Sequence, residues 1–80
     1  MRTMAVLPDV GMLMMVEGDD MGARATLYSV EGSDIELITE QEVSFRGDVD
    51  DMQTCRVVNR CLKELGLDAD ERKTIIHLNN

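Results

Sequence analysis

Four carboxylates, Asp34, Glu36, Glu40 and Glu42, recur at even spacings in the stretch "DIELITEQEVSF", residues 34–45. In an extended chain every second residue points to the same side, with about 6.6–6.8 Å between neighbours on one face. On a single regular strand these acids would project together as an anionic ladder. The alternate set, Ile35, Leu37, Thr39, Gln41, Val43 and Phe45, is apolar at both ends. A ladder of this kind suits ionic pairing with Arg or Lys of a partner. Its plainer reading is the wet face of an amphipathic sheet. General acid–base catalysis asks for more, namely carboxylates of unlike environment held in a cleft.

The other reactive side chains form no recognisable constellation. His77 has no neighbour in sequence that would make it a ligand or a catalyst, and Cys55, Cys61 and His77 lack the paired spacing of a zinc site. The acidic runs "DVDD" (48–51) and "DADE" (68–71) lack the order of a calcium loop and are explained by helix capping. No glycine-rich phosphate loop, dinucleotide fingerprint or G-x-S-x-G elbow occurs. The expectation is a non-enzyme with no metal and no cofactor.

The composition sets the bounds on partners. The chain has 80 residues, so one small domain is expected, burying only about 60–65% of its unfolded surface. Sixteen acids against eight Lys and Arg give a net charge of −8, which disfavours nucleic acid and anionic membranes as direct partners. The charge is also segregated: residues 1–51 carry twelve acids and three bases, whereas residues 52–80 carry four and five. Seven methionines and only two aromatics, Tyr28 and Phe45, imply an aliphatic, adaptable core. There is no apolar run long enough to span a membrane and no secretory signal pattern. Cys55 and Cys61, six apart on an expected helix, would lie about 9 Å apart along its axis, too far for a disulfide. Reduced thiols point to an intracellular protein.

These residues must be positioned by few elements. "MAVLP" is a candidate short extended segment. "GMLMMVEG" (11–18) reads as a compact buried strand whose two faces are both apolar, as in a central strand or one set against a partner. "ARATLYSV" (23–30) reads as a further strand and residues 34–45 as one bent strand or two short ones broken near Glu40, with the turn chemistry of "DDMG" and "EGSD" between these elements. From Met52 the period changes: Cys55, Val58, Leu62 and Leu65, with Cys61 adjoining, mark one helix face, and Arg56, Arg60 and Lys63 the other. Asp50 or Asp51 would cap its start, and Gly66 followed by Leu67 its end. In the tail "LDADERKTIIHLNN", Asp68 with Glu71 resembles a helix-opening cap, while "KTIIHL" has the β-branched character of a strand; the preference is for a short helix.

The fold expected is therefore α+β: a three-stranded antiparallel meander, apolar on one face and polar on the other. One amphipathic helix packs on the apolar face, and the C-terminal segment docks as a short helix or edge strand. The leading functional expectation is a non-catalytic acidic module that occupies a positively charged site, including one that holds nucleic acid, on a larger protein. Phage-type inhibitors such as anti-CRISPR proteins are similar as a class, being small and acidic, though no motif here matches one. Asp34, Glu36, Glu40 and Glu42 would pair with cations of the target, and Met14 and Tyr28 would anchor. The alternative is a homo-oligomeric assembly module, such as a homodimer, pairing through the Met-rich strand.

Overall fold

Thr3, Ala5 and Leu7 alternate with Met4 and Val6, and the chain opens as a strand with the first set fully buried and the second half-buried. In the computed structural model, which describes residues 1–78, this strand is β1 (Arg2–Leu7). Pro8 begins a short 3-10 turn, and Gly11, with φ of 63°, reverses the chain into β2 (Met12–Gly18). Asp19 accepts hydrogen bonds from the Met21 and Gly22 amides at 3.1 Å, fixing the turn into β3 (Gly22–Glu31). A tight turn then leads to β4 (Asp34–Ser44), and the chain crosses through helix α1 (Thr54–Glu64) to β5 (Thr74–His77).

The strands form one antiparallel sheet in the order β4-β3-β2-β1-β5. The class is α+β, but the expected three-stranded meander is corrected to five strands. Residues 2–7 pair in full with β2, and the tail supplies β5 beside β1 rather than a helix. The reason is local. Asp68 accepts from the Asp70 amide at 2.9 Å and Lys73 Nζ donates to the Ala69 and Glu71 carbonyls, making a turn instead of a helix cap. The β-branched run at 74–76 then extends, with Ile75 opposite Ala5 and Ile76 opposite Met4. The last two positions of the segment expected to be helical, 79 and 80, lie outside the described residues.

Helix α1 buries Val57, Val58, Cys61 and Leu62 against Ala5, Met14, Val16, Ala25 and neighbouring side chains of the sheet. Cys55, expected on this face, is exposed, and Val57 takes part in its place. The N-cap is Gln53, which makes no side-chain capping bond. Asp50 instead pairs with the terminal amine of Met1, and Asp48 caps the 3-10 turn at Val49–Asp51. The C-terminus matches the expectation in detail. Gly66 lies at φ 80°, its amide donates to the Lys63 carbonyl, and the Leu67 amide donates to the Leu62 carbonyl, the paired bonds of a Schellman cap.

Two substitutions test this packing by urea denaturation. Gly66→Ala forces a Cβ into the left-handed region and should cost about 1–2 kcal/mol. Thr3 is fully buried with its hydroxyl unpartnered, so Thr3→Val should raise stability by about 1 kcal/mol.

Candidate protein-interaction surface

The acidic residues of β4 do not form one ladder. Glu42 lies opposite Arg24 and Glu40 opposite Thr26, but Leu37 lies opposite Tyr28, so Ile38 is an extra residue without a partner. A bulge of this kind inverts the in–out alternation beyond it. Glu40 and Glu42 therefore share a face with Arg24, which binds them at 3.0 and 3.4 Å. Glu36, opposite Ser29, and Asp34, opposite Glu31, belong to the other face. The expected common projection of the four acids is corrected to two pairs on opposite sides. All four are exposed, and ion pairs so placed contribute at most about 1 kcal/mol.

The same register brings together a surface that the ladder concealed. Antiparallel partners share a face, so rows can be followed across the sheet on the side away from α1. One row runs Leu37, Tyr28, Leu13, Val6. The next runs Glu40, Thr26, Met15, Met4, Ile76. Beyond Leu37 and Tyr28, Ile35 pairs with Val30. Nothing among the described residues covers these side chains. Leu37 is 62% exposed, Ile35 59% and Ile76 39%, and those nearer the centre are half-buried only by one another. An apolar cleft opens at this end of the face between Val6, Pro8, Gly11, Leu13 and Val30. The sheet thus has two apolar faces, not the apolar and polar pair expected.

At the opposite end the face is closed by charge. Glu42, Arg24, Glu17 and Arg2 lie directly opposite one another on four adjacent strands, and their signs alternate. Together with Glu40 the face carries two cations and three carboxylates, a net of −1 on a chain of −8. Its charge is nearly balanced where the remainder of the molecule is strongly acidic.

Of the anchors expected from sequence, Tyr28 lies half-buried on this open face between Leu13 and Leu37. Met14 does not. It is fully buried beneath the helix, because its parity within β2 is that of Val16. The residues that sequence reasoning missed are its neighbours Leu13 and Met15, with Met4, Val6, Ile35 and Leu37. The signal was present in "MLMMV", where both parities are apolar.

The remaining reactive groups are dispersed. Arg60 stacks 5.2 Å from the Phe45 ring centre and its guanidinium reaches the Ser44 carbonyl, tying the helix to the end of β4. Arg72 donates to both oxygens of Asp9 at 3.0 and 2.8 Å, and this hydrogen bonding holds the Asp9 carboxyl below its usual range. Among the described residues no three His, Cys, Asp or Glu side chains converge as metal ligands would, and no helix is long and apolar enough to cross a membrane.

Both thiols are free, one exposed and one buried. Burial pushes the Cys61 thiol up to about 11, from 9.0 in an unburied state. A value raised on folding stabilises the fold below pH 9, and that contribution is lost as the pH climbs from 9 towards 11. Cys55 should therefore react with a thiol reagent in the native protein at pH 8, while Cys61 reacts only on unfolding. In pH-dependent denaturation, Cys61→Ala should flatten the alkaline fall in stability. No protein-family model, curated protein or solved structure matches the chain.

Proposed function

We propose that this protein is a non-catalytic assembly module that pairs with a second copy of itself through the open face of its sheet. The observation that carries this reading is the set of outward-pointing apolar side chains on β1, β2 and β3, continued onto β4 by Leu37 and Ile35. Contiguous apolar surface on this scale marks an interaction site in a soluble protein. Four strands about 4.8 Å apart and four rows about 6.8 Å apart make an overlap of about 500 Å² per copy. About 1,000 Å² for the pair meets the lower bound of a specific interface. Size and charge point the same way. A small lone domain is short of buried surface, which a second copy restores, and the near-neutral face avoids the repulsion that the other surfaces of two such chains would exert.

Sedimentation equilibrium tests the reading. Wild type should be dimeric in the micromolar range and remain dimeric between about 50 and 500 mM salt, since the apolar burial that holds it is not screened. Leu37→Asp should give a folded monomer, because Leu37 contributes little to the core of one chain. A wild type that remains monomeric at about 100 μM would overturn self-pairing.

A second reading, the acidic module that occupies a cationic site on a larger protein, draws on the hairpin arm. Glu31, Asp34 and Glu36 are exposed there and have no salt-bridge partner among the described residues. Such a module should capture a basic protein, lose it steeply as salt rises, and lose it altogether on Asp34→Lys/Glu36→Lys substitution.

A further inference from the structure

We infer that the second copy docks about a two-fold axis running along the strands between β2 and β3, with the row Arg2, Glu17, Arg24 and Glu42 fixing its position. This inference rests on the self-pairing reading above. The four residues occupy adjacent strands and alternate in sign, negative on β4 and positive on β1. Such a row, turned end for end, presents the opposite charge at every position. A two-fold axis lying in the interface, parallel to the strands and centred between β2 and β3, turns the row over onto itself in this way. Glu42 then faces the partner's Arg2, and Arg24 faces the partner's Glu17.

Other placements lose this match. With the axis moved one half-step onto β2, the middle of the five strands, Glu17 meets the partner's Glu17 and Arg24 meets the partner's Arg2. With the axis turned across the strands through the middle of the face, the charged row falls on the partner's apolar end and is desolvated without pairing. The favoured operation also lays the apolar end of one face on the apolar end of the other, with Glu40, held by Arg24 of its own chain, near the partner's Met4. Stacked sheets cross at about 30°. With the crossing centred on the charged row its pairs stay in place, while the row of Leu37, Tyr28, Leu13 and Val6, about 14 Å away, slides sideways by about 7 Å over apolar side chains of the partner.

Arg2 and Glu42 make the geometry testable. Within one chain they stand three strands apart, about 14 Å, and only a partner can bring them together. Arg2→Glu and Glu42→Arg should each raise the dimer Kd about tenfold, and the double variant should return it to within about threefold of wild type. Circular dichroism verifies that each variant is folded. Where a reversal unfolds the chain, Arg2→Gln and Glu42→Gln give the same cycle, with the double variant no weaker than either single one. Weakening that adds in the double variant, or reversals without effect, would overturn this axis while leaving self-pairing intact if wild type is a dimer and Leu37→Asp a monomer. A monomeric wild type would overturn both.

Discussion

One helix has to cover a sheet five strands wide, and it lies on only one side of it. Helix α1 has eleven residues and is therefore about 16 Å long, with a single apolar stripe formed by Val57, Val58, Cys61 and Leu62. Stable domains pair layers so that each apolar surface meets another, and this chain builds only two layers. The inner side of the sheet is closed over β1, β2 and the first half of β3, while Glu31, Asp34 and Glu36 of the hairpin arm stay exposed on it. The outer side carries the other half of an alternation that, in β1 and β2, is apolar at both parities. The most informative surface of the molecule follows from that imbalance.

The β4 bulge and the distribution of acids become intelligible against this imbalance. Were β4 paired with β3 without a bulge, Ile38 would lie opposite Tyr28, Glu36 would fall on the outer face and Leu37 behind it. The bulge brings Leu37 and Ile35 into line with Tyr28 and Val30, extending the apolar face onto the arm, while Glu40 and Glu42 stay beside Arg24. β4 is also an edge strand eleven residues long, which unmodified would be a template for pairing with another chain. Acids along it and a bulge within it are recognised means of blocking such contacts. One strand thus discourages association through its edge while contributing to the face.

The helix was legible from sequence because its period is unambiguous and its stop, Gly66 followed by Leu67, is specified by backbone geometry. β2, β3 and β4 were legible for the same local reasons. β1 was not, since six residues with apolar side chains at both parities give no contrast between a strand and an extended linker. β5 was obscured by Asp68 and Glu71, which imitate a helix start although Asp68 folds onto the Asp70 amide. An irregularity near Glu40 was legible from the length of the stretch, but the one-residue slip that splits the acids between two faces was not, because it is decided by pairing with β3. The open face was half legible: "MLMMV" announced a two-sided strand, but its register decided that Met14 faces inward and Leu13 and Met15 outward.

The pairing of β1 with β5 joins residues from nearly opposite ends of the chain, Thr3 with His77. Every other strand pair joins consecutive strands, so the meander can assemble from local hairpins soon after each is synthesised. The outer edge of β1 has no such neighbour. It stays unpaired until residues 74–77, three strands and a helix further along the chain, reach it, and the Asp9–Arg72 ion pair ties down their approach. The least protected stage in building this sheet is therefore the one before β5 arrives, when it is four-fifths built and the apolar strand β1 is still an open edge.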